Sequence, residues 1–335
     1  MGGTGTHAAS GGLWWSGIVA VVCLWIMTGC VSPASRPPAS SPGPAWKVGH
    51  ILDVKTGEVL SLPDWLARLS RYDIVYVGEE HYNRHHIEAA VTMLEVVRQQ
   101  GVRPVLTMEM FGWDGQAALD EGLADGRLRD DTWLERVRWK ANWGGAFEPY
   151  GTLVEYAARN HLPLYAMNPP KPLIRQVVTR GLRQVQQQPD WAAWGLDREE
   201  IVDDPRYRER ILDQLRRCHG GGTDEDYRAM YEASMVRDEG MAKTVAHAVQ
   251  SARKEQGASR AVILSYTGGG HIQYNLPVPS RVVRRLGSSV THVSVYLASY
   301  EPSRAEDIRH LMEDGIADYV WLTAVGEQGT PQRCR

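Results

Sequence analysis

The chain has 335 residues, with 37 Lys and Arg against 40 Asp and Glu, and a formal net charge of −3. This slightly acidic balance gives no electrostatic reason to expect a nucleic acid as partner, because nucleic-acid-binding domains concentrate positive charge on one face. The four cysteines form no CxxC pair and no Cys/His cluster, so the sequence does not support a structural zinc site.

The chain begins with a segment that we separate from the folded domain. Residues 13–29 are apolar and end at Cys30, which gives the length of a signal peptide and is short for a membrane span. The residues Met27-Thr28-Gly29-Cys30 resemble a bacterial lipoprotein box, in which the cysteine becomes the lipidated first residue. We therefore expect residues 1–29 to be a lipoprotein signal peptide and Cys30 to carry the lipid. An uncleaved membrane anchor is the alternative, and both export the domain.

Residues 30–46 are rich in proline and serine, which predicts an extended tether. A tether after a lipidated cysteine holds a globular domain off a membrane. The expected location is therefore the bacterial cell envelope, with a lipid anchor in the outer membrane. In an exported domain Cys218 and Cys334 could pair, although Cys334 is the penultimate residue, where chains fray.

The first predicted elements after the tether form a strand–helix–strand unit. A strand is predicted at residues 73–78, a helix at residues 84–100 with Gly101 as its stop, and a second strand at residues 102–108. A unit of this length predicts a right-handed crossover into a parallel sheet.

The remainder of the chain is predicted to be helical in its middle and to return to strands. Further strands are predicted at residues 162–167, 261–266, 291–296 and 319–323. Residues 171–253 are mostly helical, which is too long for one crossover, so we expect a cap beside the ligand edge of the sheet. The predicted fold class is α/β, a largely parallel central sheet with flanking helices and an all-helical cap subdomain. The predicted domains are an α/β core at residues 47–170 and 255–325 and a helical cap at residues 171–254.

Acidic and imidazole side chains stand at the ends of three predicted strands. Glu79 and His81 follow the first strand, Glu109 ends the second, and His271 follows the strand at residues 261–266. Because the carboxyl ends of parallel strands form the ligand crevice of such a sheet, we expect all four in one cleft. They could serve as catalytic bases and proton carriers, or as ligands of a divalent metal ion. The alternative is that His81 and His271 form a buried pair that fixes loop geometry.

This ordered set of residues resembles the ChaN family of haem-binding lipoproteins over residues 45–325. The matching positions are Gly78, Glu79 and His81; Asn83, His85 and His86; Glu109; residues 164–169; residues 235–242; Gly268, Gly270 and His271; and Val278 and Pro279. The wider superfamily includes the Tiki proteases and the erythromycin esterases. A metal-dependent hydrolase that uses Glu79, His81, Glu109 and His271 is therefore the alternative function. A non-catalytic envelope protein that binds a partner is a third hypothesis.

The resemblance implies an exported haem-binding protein of iron uptake, a homodimer that encloses haem, and a tyrosine oxygen as ferric ligand. A phenolate is a hard anionic donor suited to Fe(III). Tyr227 and Tyr231, four residues apart on one predicted helical face, are the candidates, and Tyr150 and Tyr207 remain possible. The resemblance also assigns Arg237, Asp238 and His85 to the cofactor site. Residues 142–145, Asn-Trp-Gly-Gly, are predicted to form a loop at the rim of the cleft.

Overall fold

The structure is a computed structural model that describes residues 46–255 and 260–329. The predicted signal peptide, Cys30, nearly all of the tether, and Cys334 lie outside the described residues, and these predictions stay predictions. Within the two described ranges, no helix is long and apolar enough to cross a membrane.

The described residues contain one mixed sheet of eight strands. The strands are β1 (Ile51–Asp53), β2 (Val59–Leu60), β3 (Ile74–Glu79), β4 (Arg103–Gly112), β5 (Leu164–Asn168), β6 (Ala261–Gly268), β7 (His292–Ser299) and β8 (Tyr319–Thr323). Their order across the sheet is β2-β1-β8-β7-β3-β6-β4-β5. Strands β3 to β8 run parallel, whereas β1 pairs antiparallel with both β2 and β8. The predicted α/β class with a largely parallel sheet is confirmed.

Two features of the sheet differ from the simplest interpretation of the sequence. The first strand–helix–strand unit is parallel as expected, but β6 is inserted between β3 and β4. In addition, β1 and β2 form a short hairpin at one edge that no sequence pattern indicated. Central strands of this kind are buried on both faces, and all six residues of β3 are buried.

Helices cover both faces of the sheet. They are α1 (Leu62–Leu66), α2 (Arg84–Gln99), α3 (Gln116–Asp125), α4 (Asp131–Arg136), α5 (Trp139–Asn142), α6 (Glu148–Arg159), α7 (Lys171–Arg180), α8 (Leu182–Val185), α9 (Pro189–Ala193), α10 (Pro205–Cys218), α11 (Asp224–Lys254), α12 (Val278–Leu286) and α13 (Ala305–Glu313). Alternate residues of β3 supply the two cores: Val75 and Val77 pack with α2 and α6, whereas Ile74 and Tyr76 pack with α11 and α12.

Local sequence signals explain where the two helices nearest the cleft begin. The side chain of Asn83 accepts a hydrogen bond from the His85 N–H and caps α2, so the loop that carries His81 runs directly into a capped helix. Helix α11 begins with a capping box, in which Thr223 and Asp226 satisfy each other's backbone N–H groups.

The helical block packs around apolar clusters of its own. Leu173, Val177 and Trp191 form one cluster with residues of α11, and Tyr207 forms another with Tyr231. From Met241 onward, α11 instead packs in the core beneath the sheet. This helix therefore joins the cap region to the core. The described residues from Trp46 onward form one compact unit. The predicted domain limits stay a prediction.

Candidate functional site

The four strand-end side chains predicted from the sequence lie together at the carboxyl ends of the central strands. Glu79 ends β3 and is paired in register with Gly268, the last residue of β6. Glu109 lies where the pairing of β4 with β5 is interrupted by a register shift, an irregularity that re-aims side chains. The Gly268 N–H donates to Glu109 Oε2 at 2.6 Å, and His271 follows one turn later.

Glu79 is a buried carboxylate surrounded by hydrogen-bond donors. Its Oε1 lies 2.8 Å from Nδ1 of His81 and accepts from the Tyr150 hydroxyl at 2.7 Å, and its Oε2 accepts from the Tyr266 hydroxyl at 2.5 Å. Burial raises the pKa of Glu79, and the three hydrogen bonds offset this only in part. The carboxylate therefore holds the Nδ1 proton of His81 and fixes the orientation of that ring.

His81 lies between the buried cluster and solvent, with 43% of its side chain exposed. Its ring contacts the edge of Trp143, with ring centroids 4.8 Å apart. It also lies so close to Gly268 that a Cβ there would be 2.5 Å from His81 Cε1, which only glycine avoids. Desolvation lowers the pKa of His81, but the hydrogen bond to Glu79 and the charge of Glu109 raise it overall. Among the described residues, Nε2 of His81 has no hydrogen-bond partner, so this atom is available to a ligand.

His271 differs because carboxylates engage both of its ring nitrogens. Its Nδ1 lies 2.5 Å from Asp238 Oδ1 and its Nε2 lies 3.2 Å from Glu109 Oε1. Two carboxylate partners require a proton on each nitrogen, so His271 is an imidazolium. Burial lowers the pKa of His271, but the charges of Glu109 and Asp238 raise it to about 10. Burial alone would raise the pKa of Glu109, but the charge of His271 outweighs burial and the pKa is lowered overall.

The His271 cluster continues into the cap helices. Asp238, on α11, accepts a hydrogen bond from the Tyr207 hydroxyl at 2.5 Å. The guanidinium of Arg281 lies 4.1 Å from the centre of the Tyr207 ring and ion-pairs with Glu239 at 3.1 Å. The family resemblance placed Asp238 near the cleft, but no sequence pattern indicated its contact with Tyr207, which lies on a different helix.

The divalent-metal alternative has no support in the described part of the chain. In the residues that the structure describes, no group of three or more His, Cys, Asp or Glu side chains is arranged to hold a metal ion. The reason is visible in the contacts: Glu79 accepts three hydrogen bonds, and both nitrogens of His271 face carboxylates. His271 is therefore neutralised by Glu109 and Asp238, and Glu79 is occupied by His81 and two tyrosine hydroxyls.

A cavity of about 280 Å³ opens beside His81 and Glu109. Asn142 and Trp143 of the predicted rim loop line it, and Arg237, assigned to the cofactor site by resemblance, lines it from α11. Tyr82 and Lys171 also line it, and no sequence pattern singled them out.

Tyr82 is the tyrosine that lines this cavity. It is half-buried and has a φ of +65°, a left-handed conformation that is uncommon for a bulky residue and is often found at functional sites. Its N–H donates to the Tyr150 hydroxyl at 3.1 Å, and its own hydroxyl lies over Gly145, where a Cβ would be 1.8 Å away. Tyr150 and the glycine of the rim loop therefore hold Tyr82 at the cavity mouth.

The tyrosines predicted as iron ligands lie elsewhere. Tyr227 is buried, and its hydroxyl donates to His219 O at 2.8 Å and accepts from Gly222 N–H at 3.1 Å. Tyr231 is buried, and its hydroxyl donates to Asp203 at 2.5 Å. Burial and the adjacent carboxylate raise the pKa of Tyr231, which opposes formation of a phenolate. Burial and a nearby carboxylate also raise the pKa of Tyr150 and Tyr82 near Glu79 and of Tyr207 beside Asp238, so position and not pKa distinguishes these tyrosines.

The histidines of the first turn of α2 do not line the cavity. His85, predicted in the cofactor site, is 42% exposed, and its Nδ1 lies 3.1 Å from Glu88. His86 is fully buried; its Nδ1 accepts from the Glu80 N–H at 2.9 Å and its Nε2 lies 2.8 Å from the Thr323 hydroxyl. Burial lowers the pKa of His86 to about 3, so it is a neutral residue that ties the β3 loop to β8.

A largely parallel sheet with helices on both faces and a polar cleft at its central strand ends defines a class of α/β domains that bind ligands at this edge. Residues 65–282 match the family described as haem-binding uptake, Tiki superfamily, ChaN, and the chain belongs to this family. The family resemblance seen in the sequence is therefore confirmed.

A solved structure shares the fold at low sequence identity, and others are similar to a lesser degree. The structure of ChaN of Campylobacter jejuni with cofacially bound haem matches with a TM-score of 0.60 at 17% identity, over 81% of this chain and 95% of that chain. The type III effector HopBA1 matches at a TM-score of 0.44 and 13% identity, over 84% and 99% of the two chains. A mutant of the erythromycin esterase EreC matches at 0.41 and 14%, over 75% and 76%. A search of curated proteins finds no match.

Proposed function

We propose that this protein binds haem in the cleft at the carboxyl ends of β3, β4 and β6, as an exported and membrane-anchored lipoprotein of haem or iron uptake. The observation that carries the proposal is the family match over residues 65–282, a family described by haem-binding uptake. The solved ChaN of Campylobacter jejuni, which shares the fold, is described with cofacially bound haem.

The dimensions of the cavity support a particular placement of the haem. At about 280 Å³ the cavity is slightly smaller than sites that bury a drug-sized ligand, which are roughly 300–1,000 Å³. One edge of a porphyrin therefore enters, and the rest of its plane lies over the aromatic rim formed by Tyr82 and Trp143. The outer face of that plane would stay exposed in a monomer. A second copy of the chain would cover it, and we therefore expect a homodimer.

Tyr82 is the tyrosine best placed to ligate the iron. It lines the cavity mouth, and its side chain is only half-buried. The hydroxyls of Tyr227 and Tyr231 already serve hydrogen bonds inside the cap. Using either as ligand would require breaking those bonds inside the cap, whereas the Tyr82 side chain lies at the cavity mouth beside Trp143, where a ligand can reach it.

Titration of haemin into the purified protein tests the proposal. The wild type is expected to develop a Soret band at one haem per chain, and Tyr82→Phe is expected to shift or lose it. Tyr227→Phe and Tyr231→Phe serve as matched controls and are expected to keep the wild-type band. No band with the wild type would refute haem binding, and a band lost only in Tyr231→Phe would refute the assignment of Tyr82.

Membrane attachment forms a separate part of the proposal, based on the lipobox-like residues 27–30. Lipidation of Cys30 would fix the domain to the outer membrane through the tether. Cys30→Ser is expected to move the protein from the membrane fraction to the soluble fraction of the envelope. An unchanged membrane fraction would contradict lipidation and favour the uncleaved anchor.

Hydrolysis is a second candidate function because of one observation, the state of His81. A histidine whose Nδ1 is held by a carboxylate and whose Nε2 has no partner among the described residues has the arrangement of a general base. Turnover of a simple ester that is lost in His81→Ala and insensitive to chelators would support this function. The absence of any turnover with wild-type protein would count against it.

A further inference from the structure

Three cations beside the cavity lack anionic partners. Lys171 and Arg237 line the cavity, and Arg175 lies close enough to Lys171 to repel its charge. Among the described residues, none of the three side chains forms an ion pair or a hydrogen bond. By contrast, Arg281, Arg284 and Arg285 all contact Glu239.

The arrangement of these cations is unfavourable in the absence of an anion. Lys171 and Arg175 are four residues apart on α7, a spacing at which like charges destabilise a helix. Arg237 approaches the same point from α11. Burial lowers the pKa of Lys171, and the charges of Arg175 and Arg237 lower it further, so the ammonium is held in a repulsive field.

The acidic residue that lines the cavity cannot neutralise these cations. Glu109 is 3.2 Å from the His271 imidazolium and accepts the Gly268 N–H at 2.6 Å, so its charge is already compensated. The cavity therefore has a net positive wall next to the aromatic rim of Tyr82 and Trp143. Such a wall attracts an anionic group on a ligand whose apolar plane lies on the rim.

We propose that Lys171 and Arg237, which line the cavity, form an anion subsite that binds the carboxylates of the haem propionates. The inference rests on the proposed function and adds the orientation of the haem: its propionate edge enters the cavity and its opposite edge points away from it. Free phosphate has the same anionic chemistry, so the test must separate the two sources.

Haemin and its dimethyl ester separate the propionates from the rest of the cofactor. The ester keeps the iron and the ring but loses both negative charges. We expect the wild-type protein to bind haemin about tenfold or more tightly than the ester, the scale of a charge-assisted hydrogen bond. The double variant Lys171→Gln with Arg237→Gln is expected to lose this preference while its affinity for the ester stays unchanged.

Two control variants separate charge from structure. Arg180→Gln removes one exposed cation from the far end of α7 and is expected to keep the preference for haemin. Lys171→Arg keeps the charge at the cavity wall and is also expected to keep the preference for haemin over the ester. A double variant that loses affinity equally for haemin and ester would show a structural role and overturn the subsite.

The remaining outcomes distinguish failure of the subsite from failure of haem binding. Equal affinity of the wild type for haemin and ester would overturn the subsite and leave haem binding intact. Suppose that the wild type binds haemin and ester equally, and that inorganic phosphate binds the wild type but not the double variant. This result would assign the cations to a free anion instead of the propionates. No binding of either haem by the wild type would overturn the proposed function and the subsite together.

Discussion

The two strand-end histidines occupy equivalent positions in the sequence but differ in their surroundings. In both, Nδ1 lies beside a carboxylate, at 2.8 Å from Glu79 in His81 and at 2.5 Å from Asp238 in His271. The Nε2 of His271 faces a second carboxylate, Glu109, whereas that of His81 has no partner in the described residues. The second carboxylate makes His271 a fixed internal cation, whereas His81, which lacks one, has a ring nitrogen that can bind a ligand.

The same contacts explain why the acidic and imidazole groups at the strand ends are not arranged to hold a metal ion. His271, Glu109 and Asp238 form a closed set of charges that neutralise one another inside the protein. Buried charges of this kind stabilise only when every partner is present. His81 and Glu79 form an open set, because the His81 ring lines the cavity and its Nε2 has no partner among the described residues.

Removal of His271 should have the largest effect on stability. His271→Ala leaves Glu109 and Asp238 as buried carboxylates without their cation, which typically costs about 3–5 kcal/mol. We expect the free energy of unfolding in urea to fall by that amount. His85→Ala, at an exposed ring, is the control and should change it by less than about 0.5 kcal/mol. Equal effects of the two substitutions would contradict the role of His271 as the buried cation of the closed set.

Alkaline pH should weaken the closed set. The folded pKa of His271 is raised to about 10 from an ordinary value of 6.5, so its contribution is complete below pH 6.5 and is lost as the pH rises through about 10. The unfolding free energy should therefore decline over this range, by at most about 1.4 kcal/mol per pH unit. His271→Gln should lack this component of the decline. Parallel profiles for wild type and variant would show that His271 is not charged in the folded protein.

Gly268→Ala should disturb the open histidine by steric contact. The added methyl would lie 2.5 Å from His81 Cε1, while the φ of −59° at this position is accessible to alanine. The His81 ring must therefore move, and overpacking of this kind costs about 1–3 kcal/mol. Gly270→Ala, at a site with no neighbour within 4 Å, is the matched control. Similar denaturation midpoints for the two variants would disprove the close approach of His81.

The smallest expected effect is on the titration of His81. Glu79→Gln keeps the shape of the side chain but removes the charge that supports the imidazolium, so desolvation should lower the pKa of His81 relative to wild type. NMR titration of the ring protons measures this directly. An unchanged pKa of His81 in this variant would show that Glu79 does not control the ring.

The sequence was sufficient to predict the parallel sheet and the strand-end residues, because apolar runs and the polar residues that end them are local signals. It could not show that β6 lies between β3 and β4, since strand order depends on packing between distant segments. Tyr82 and Lys171 were missed for the same reason. Tyr82 is held by Tyr150 and Gly145, and Lys171 lines the cavity only because α7 meets α11.

Crystals of the protein grown with haemin and measured at the iron absorption edge provide the most direct test of haem binding at the strand ends. The anomalous peak should lie at bonding distance from Tyr82 Oη, with the propionates directed toward Lys171 and Arg237. A peak beside Tyr227 or Tyr231, or on a surface remote from the cleft, would contradict the account.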